Sequence, residues 1–261
     1  MQATVMGIET YYEQFGDKGS PVLVLHGWGG DVGTMLPVID RLKKFHRVTA
    51  VDFPAHGGTG MFKGDFGVPE YAAWTREFIS TLNMGKCHVV AHSFGGRVAV
   101  YLAANHPEMF DLLVLTGCAG LMKPRTPRDK RKAARYKIGR AVLGFLSRVP
   151  FIKRPAAKWL SAYRDRHNAP DYKALRPEMR ASFNLIIRQS LRVFLPRIKQ
   201  KTLIIWGEKD KETPLWMADV FHREIAGSRL SIMPGGHYCF ADYPDVFCDY
   251  ALDFFEESEK A

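Results

Sequence analysis

A serine becomes a nucleophile only when a base can take its proton, an acid orients that base, and hydrogen-bond donors await the oxyanion that forms. This chain offers a candidate for each part. Ser93 lies in AHSFGG (91–96), where a small residue, then serine, then glycine has the spacing of a serine held at a tight strand-to-helix turn. Alone the signal is weak: with glycine near 7% of residues, such a match is expected by chance about 0.2 times in a chain of this size. The flanks strengthen it. The apolar run CHVVAH leads straight into Ser93, FGGRVAVYLAANH continues as a helix, and Ala91 and Gly95 are small enough to permit the turn between them.

The expected base is His237 in MPGGHYCF, on a glycine-rich loop just after the last strand-like run. For the acid, WGEKDKETP places Glu208, Asp210 and Glu212 just past another apolar run. Asp210 is favoured, because Pro214 opens the next helix and leaves Asp210 in the loop. The order Ser, Asp, His leaves room for an insertion between nucleophile and acid. His26 and His92 also stand at strand ends, where hydrogen bonding to adjoining loops is the expected role. The backbone amides of Phe94, next to the serine, and of Trp28, in HGWGGD, are the expected oxyanion donors, and the Trp28 indole is a candidate substrate contact. The glycines of HGWGGD do not read as a phosphate cradle, since the chain has neither GxGxxG nor a Lys-Ser/Thr pair beside them.

Six short apolar runs must position these groups: VLVLH, RVTAVDF, CHVVAH, LLVLTG, TLIIWG and RLSIMPG. Near-continuous runs of this length read as strands buried on both faces. Helical patterns at about 33–44, 69–82, 94–105, 215–226 and 244–257 separate or follow them, so the expected architecture is a mostly parallel sheet flanked by helices. TVMGIETYYEQFG reads instead as an edge hairpin turning near Gly7 to Thr10. Between 122 and 195 the alternation stops. Helical stretches punctuated by Pro124, Pro127, Pro150, Pro155, Pro170 and Pro177 make this interval an insertion, leaving 1–121 and 196–261 as the core.

HGWGG, DFPAHGGTG, AHSFGGRVA, WGEKDKETP and PGGHY, in that order, resemble the α/β-hydrolase family, specifically capped serine hydrolases related to esterases and carbon–carbon bond hydrolases. The resemblance covers the core and departs from the usual pattern at Ala91, which replaces the first glycine of the serine turn. It implies an α/β-hydrolase fold with a helical cap at 122–195, and a covalent mechanism in which Ser93 attacks a carbonyl, His237 relays the proton and Asp210 holds the ring. Relatives with an aspartate nucleophile are disfavoured by the serine at 93. No cofactor or metal is implied.

Charge is unevenly placed. Residues 121–201 carry 23 Lys+Arg against 4 Asp+Glu, and the remainder carries 14 against 23, so one basic segment interrupts an acidic body. Arg125, Arg128, Arg131, Arg135, Arg140, Arg188 and Arg192 are candidates to bind a substrate carboxylate or phosphate, against the plainer role of a wet helix surface. Within YKIGRAVLGFLSRVPFIKR (136–154), Ile138, Ala141, Val142, Phe145, Leu146 and Val149 fall near helical spacing. Packing on the core is the leading expectation for that face, with contact to an anionic membrane second. Charge without a stacking pattern or recognition motif does not support nucleic-acid binding.

Cys87, Cys118, Cys239 and Cys248 form no CxxC pair and read as reduced thiols. The N-terminus lacks a basic start followed by an apolar run, and a soluble cytoplasmic protein is expected. The leading functional expectation is a serine hydrolase cleaving a carboxylic ester, with a small-molecule ester or related acyl compound as partner. The rivals are a carbon–carbon hydrolase of a carboxylate-bearing diketone, a thioesterase, and a ligand receptor on the same fold.

Overall fold

Val5 and Ile8 pair across a two-residue turn whose Met6 and Gly7 both take positive φ, 51° and 75°. Two successive left-handed residues match the right-handed twist of the flanking strands. The hairpin therefore turns at Met6–Gly7, just before the expected Gly7 to Thr10. A computed structural model of the chain describes residues 1–122, 126–149, 152–167 and 175–260. Arg125, Pro124, Pro150 and Pro170 lie outside the described residues.

The strands are β1 (Gln2–Val5), β2 (Ile8–Phe15), β3 (Pro21–Leu25), β4 (Arg47–Val51), β5 (Cys87–His92), β6 (Phe110–Thr116), β7 (Lys201–Gly207) and β8 (Arg229–Met233). They form one sheet in the order β1-β2-β4-β3-β5-β6-β7-β8. β2 runs antiparallel to both neighbours, and from β4 to β8 every pairing is parallel. This is the α/β-hydrolase fold, with a mixed, mostly parallel sheet flanked by helices and a helical insertion. Leu25 registers with Ala91, and Ala91 with Leu115, so β3, β5 and β6 end together and release their loops at one edge.

Both faces of the strands β3 to β7 are covered, which is why they read as unbroken apolar runs, whereas β8, expected to be buried on both faces, is an edge strand with Arg229 and Ile232 exposed. Val22, Val24, Val90 and Val114 share a core with Met35, Val38 and Ile39 of α1 (Val32–Leu42) and with Phe247 and Phe255 of the C-terminal helix Pro244–Glu259. The alternate residues Leu23, Leu25, Val89 and Leu113 are fully buried as well. The second face carries α2 (Val68–Thr81) and α3 (Phe94–Asn105), which pack on each other. Below the sheet, the final helix is tied in by Glu259, which accepts hydrogen bonds from Ser20 Oγ at 2.5 Å and His88 Nε2 at 2.9 Å.

The described chain divides into two compact units, Met1–Leu121 with Ser182–Ala261, and Met122–Ala181. The second unit holds α4 (Pro127–Leu146) and α5 (Lys153–His167). Pro127 opens α4 behind a reciprocal cap, in which Asp129 N donates to Thr126 Oγ1 at 3.2 Å and Thr126 N donates to Asp129 Oδ2 at 3.0 Å. The two helices pack through a Tyr136–Tyr163 stack with centroids 5.5 Å apart, and a side chain on Gly139 would press into the Tyr163 hydroxyl.

The insertion expected at 122–195 is thus divided at residue 181. The rest of α6 (Met179–Arg188) and the 3-10 turn Arg192–Arg197 belong to the first unit. The reason is local anchoring: Ser182 Oγ accepts from Phe66 N at 2.9 Å, and Leu191 N donates to Gly120 O at 2.8 Å. Helices α7 (Trp216–Glu224), α8 (Cys239–Asp242) and α9 (Pro244–Glu259) complete the first unit.

Candidate active site

β5 delivers Ser93 at the sheet's C-terminal edge with φ 49° and ψ −106°, a left-handed conformation that costs about 1–3 kcal/mol for a non-glycine residue. The surroundings enforce it. Ser93 N donates to Thr116 O at 3.0 Å, while Ala119 N and Arg97 N donate back to Ser93 O at 3.2 and 3.3 Å. Gly95 is obligatory for a different reason: a Cβ there would drive into the carbonyl oxygens of Leu25 and His26, to the latter of which Gly95 N donates at 3.0 Å.

His237 is buried on the loop after β8, and its two ring nitrogens have separate partners. Nδ1 lies 2.8 Å from Asp210 Oδ2, and Nε2 lies 3.0 Å from Ser93 Oγ. Ionised Asp210 can only accept, so Nδ1 carries the proton and the lone pair of Nε2 faces the serine hydroxyl. Ser93, Asp210 and His237 therefore come together from three loops on one edge.

Asp210 is held by more than the histidine. Oδ1 accepts from the amides of Glu212 and Thr213 at 2.9 and 2.8 Å, and Oδ2 also accepts from Thr213 Oγ1 at 2.7 Å. Burial acts to raise this carboxyl, but the hydrogen bonds from His237 and Thr213 outweigh it and hold it below its ordinary range. Of the other acids considered, Glu208 is exposed and pairs with Lys209. Glu212 is also exposed, yet its Oε2 stands 3.4 Å from His237 Nε2, the same nitrogen that faces Ser93.

The loop after β3 closes the other side. A Cβ on Gly27 would lie 2.9 Å from His92 Cδ2 and 3.3 Å from Ser93 Cβ, so only glycine lets the loop pass this close. Among the described residues, the amides of Trp28 and Phe94 donate to no other group. The Trp28 ring meets Phe94 at 5.2 Å, His56 at 4.8 Å and Phe183 at 5.4 Å, so an aromatic wall flanks these amides. The Trp28 indole Nε1 is buried without an acceptor among the described residues.

His26 and His92 bond to loops, as their positions suggest. His26 donates from Nδ1 to Gly27 O at 2.7 Å and accepts at Nε2 from Phe53 N at 3.0 Å. His92 donates from Nδ1 to Thr116 O at 3.2 Å and packs against His237, with ring centroids 4.6 Å apart. Burial keeps both neutral, pushing His26 down to about 4 and His92 to about 3.

Arg97, one turn beyond Ser93, is only 8% exposed. Its Nη1 donates to Ile186 O at 2.9 Å and Gln189 O at 3.1 Å, capping the C-terminal end of α6, and burial lowers the guanidinium to about 10. The candidate anion-binding arginines look different: Arg128, Arg131, Arg135, Arg140 and Arg188 are exposed, and Arg192 forms a bidentate pair with Glu224. All four cysteines are free and buried. Thr213, Arg97, His56 and Phe183 also stand at the candidate site; the first three lie inside WGEKDKETP, AHSFGGRVA and DFPAHGGTG without being singled out there, and nothing in the sequence points to Phe183.

The model of the Alpha/beta hydrolase family matches residues 22–250. The chain belongs to the alpha/beta hydrolase family. This hydrolase is 29% identical to a 2-hydroxy-6-oxo-6-(2'-aminophenyl)hexa-2,4-dienoic acid hydrolase of Metapseudomonas resinovorans, over 95% of this chain and 88% of the relative. It is 28% identical to a pimeloyl-[acyl-carrier protein] methyl ester esterase of Neisseria meningitidis, over 92% and 95%. Among solved structures, a membrane phospholipase A described as a bacterial virulence factor shares its fold with TM-score 0.76 at 22% identity, over 100% of this chain and 86% of that one. No helix among the described residues of this hydrolase is long and apolar enough to cross a membrane.

Proposed function

We propose that this hydrolase cleaves a carboxylic ester through an acyl-enzyme on Ser93. The observation that carries the reading is the continuous relay from Ser93 Oγ through His237 to Asp210, with contacts of 3.0 and 2.8 Å. As Oγ attacks the ester carbonyl, its proton passes to His237 Nε2, and the resulting imidazolium is stabilised by Asp210. The carbonyl oxygen, now an oxyanion, takes hydrogen bonds from the unengaged amides of Trp28 and Phe94. Collapse expels the alcohol, which leaves with the proton from Nε2. Water then attacks the acyl carbon as Nε2 takes one of its protons, and collapse breaks the bond to Ser93 Oγ, which takes that proton back as the carboxylic acid leaves.

The aromatic wall of Trp28, Phe94, His56 and Phe183 suits an apolar acyl or alcohol group. The second reading, hydrolysis of a carbon–carbon bond in a carboxylate-bearing diketone, is favoured by the Metapseudomonas relative. Glu212 weighs against it, because a carboxylate 3.4 Å from the reacting nitrogen repels an anionic substrate.

Wild type and Ser93→Ala are assayed on neutral esters, acyl thioesters and acidic diketones. Ester turnover that falls by about 10⁴-fold or more in the variant supports the proposal. Turnover of the diketone alone supports the second reading, and unchanged ester turnover in the variant removes Ser93 from the reaction.

A further inference from the structure

Helix α4 carries a line of exposed apolar side chains. Ile138, Val142 and Phe145 are 64, 52 and 68% exposed. They continue a single line along α4, because Arg131, Arg135, Ile138, Val142 and Phe145 follow one another at alternating steps of four and three residues. Its first half is cationic and its second half apolar. Ile152, just before α5, is 36% exposed and Trp159, on α5, is 58% exposed. Lys137, Arg140, Arg148 and Arg154, elsewhere on the same two helices and the segment between them, are also exposed.

Charge identifies the occupant. Residues 122–181 carry 18 Lys+Arg against 4 Asp+Glu, a net +14, whereas the rest of the chain is net −4. A second copy of the same face would meet a net +14 of its own and be repelled. A nucleic acid would neutralise the arginines but leave the aliphatic line in water. An anionic bilayer satisfies both halves at once: aliphatic and aromatic side chains enter the headgroup–acyl boundary, while arginine stems lie along them and the guanidinium groups reach lipid phosphates.

We propose that the face of α4 built on Arg131, Arg135, Ile138, Val142 and Phe145 docks on an anionic lipid bilayer surface. The contact is peripheral and reversible. Each added cation strengthens it and each increment of salt weakens it. The proposal stands on the second unit alone and does not require the ester reading above.

The test is co-sedimentation of the full chain with vesicles of phosphatidylcholine, with and without about one-third phosphatidylglycerol. The expected result is binding at least tenfold tighter to the anionic vesicles, weakened by added salt. The triple variant Ile138→Ser, Val142→Ser, Phe145→Ser should lose tenfold or more of that binding while its thermal unfolding matches wild type, since these side chains are exposed. Equal binding to both vesicle types, no binding to either, or a triple variant that binds as tightly as wild type would overturn the proposal. The last result would mean adsorption by charge alone. A salt-stable oligomer broken by the triple variant, without vesicle binding, would assign the face to a second copy instead.

Discussion

Thr213 donates its hydroxyl to Asp210 Oδ2 at 2.7 Å, the same oxygen that accepts from His237 Nδ1 at 2.8 Å. The oxygen that orients the histidine is therefore itself oriented, within a loop whose Thr213 and Glu212 amides hold the other carboxylate oxygen. Thr213→Val removes one hydrogen bond to a charged group while keeping side-chain volume. Such a bond is worth about 1.5–3 kcal/mol, so kcat should fall by about tenfold or more with KM little changed. Asp210→Asn presents Nδ1 with the wrong partner and should cost about 10⁴-fold in kcat. Steady-state kinetics on one ester compares the two, and a valine variant as slow as the asparagine variant would give Thr213 a larger part than positioning.

Glu212 should act on substrate charge. Its carboxylate lies beside His237 Nε2 without bonding Ser93, so Glu212→Gln should leave neutral esters within about twofold and raise kcat/KM for anionic acyl substrates several-fold. Matched neutral and anionic ester pairs, assayed at low salt, provide the comparison. An equal effect on both members of a pair would contradict the electrostatic role.

Arg97 holds the end of α6 through the carbonyls of Ile186 and Gln189, and Phe183 of the same helix packs on Trp28. Arg97→Met leaves those carbonyls without a donor and should destabilise the protein by about 2 kcal/mol. Hydrogen exchange should rise first in residues 182–191. Uniform loss of protection across the chain would mean that the arginine supports the whole core.

Stability should fall in mild acid. His26 and His92 are held neutral in the folded protein, at about 4 and about 3, and return to about 6.5 when unfolded. Unfolding therefore takes up protons below pH 6.5, so the stabilising contribution is complete above that pH and is lost as pH falls toward the folded values. Each imidazole contributes about 1.4 kcal/mol per pH unit in this window, roughly 4 kcal/mol for the pair between pH 7 and pH 5. Urea denaturation at the two pH values measures it. Equal stability at both would show that the rings are not buried as neutral groups.

The sheet was legible because buried parallel strands leave unbroken apolar runs, and each of the six runs from VLVLH to RLSIMPG became a strand. That Ser93, Asp210 and His237 meet at one edge was legible because each stands at the end of such a run, where the polypeptide must change direction. Thr213 and Arg97 were not, since nothing in local spacing tells a threonine which carboxylate it will meet or an arginine that its partners are carbonyls 89 and 92 residues away. Where the insertion meets the core was not legible for a related reason: residues 182–195 are helical in pattern like those before them, and only long-range bonds to Phe66, Arg97 and Gly120 tie them to the first unit. On α4, periodicity identified an apolar face, but periodicity does not say what covers it.

Whether Ser93 is an activated nucleophile is read directly by mass spectrometry of the protein after reaction with a fluorophosphonate, which only such a nucleophile attacks. A single adduct on the peptide containing Ser93, suppressed by competing ester and absent from Ser93→Ala and His237→Ala, is the result this account predicts. Labelling at another residue, or undiminished labelling of Ser93→Ala, would contradict it.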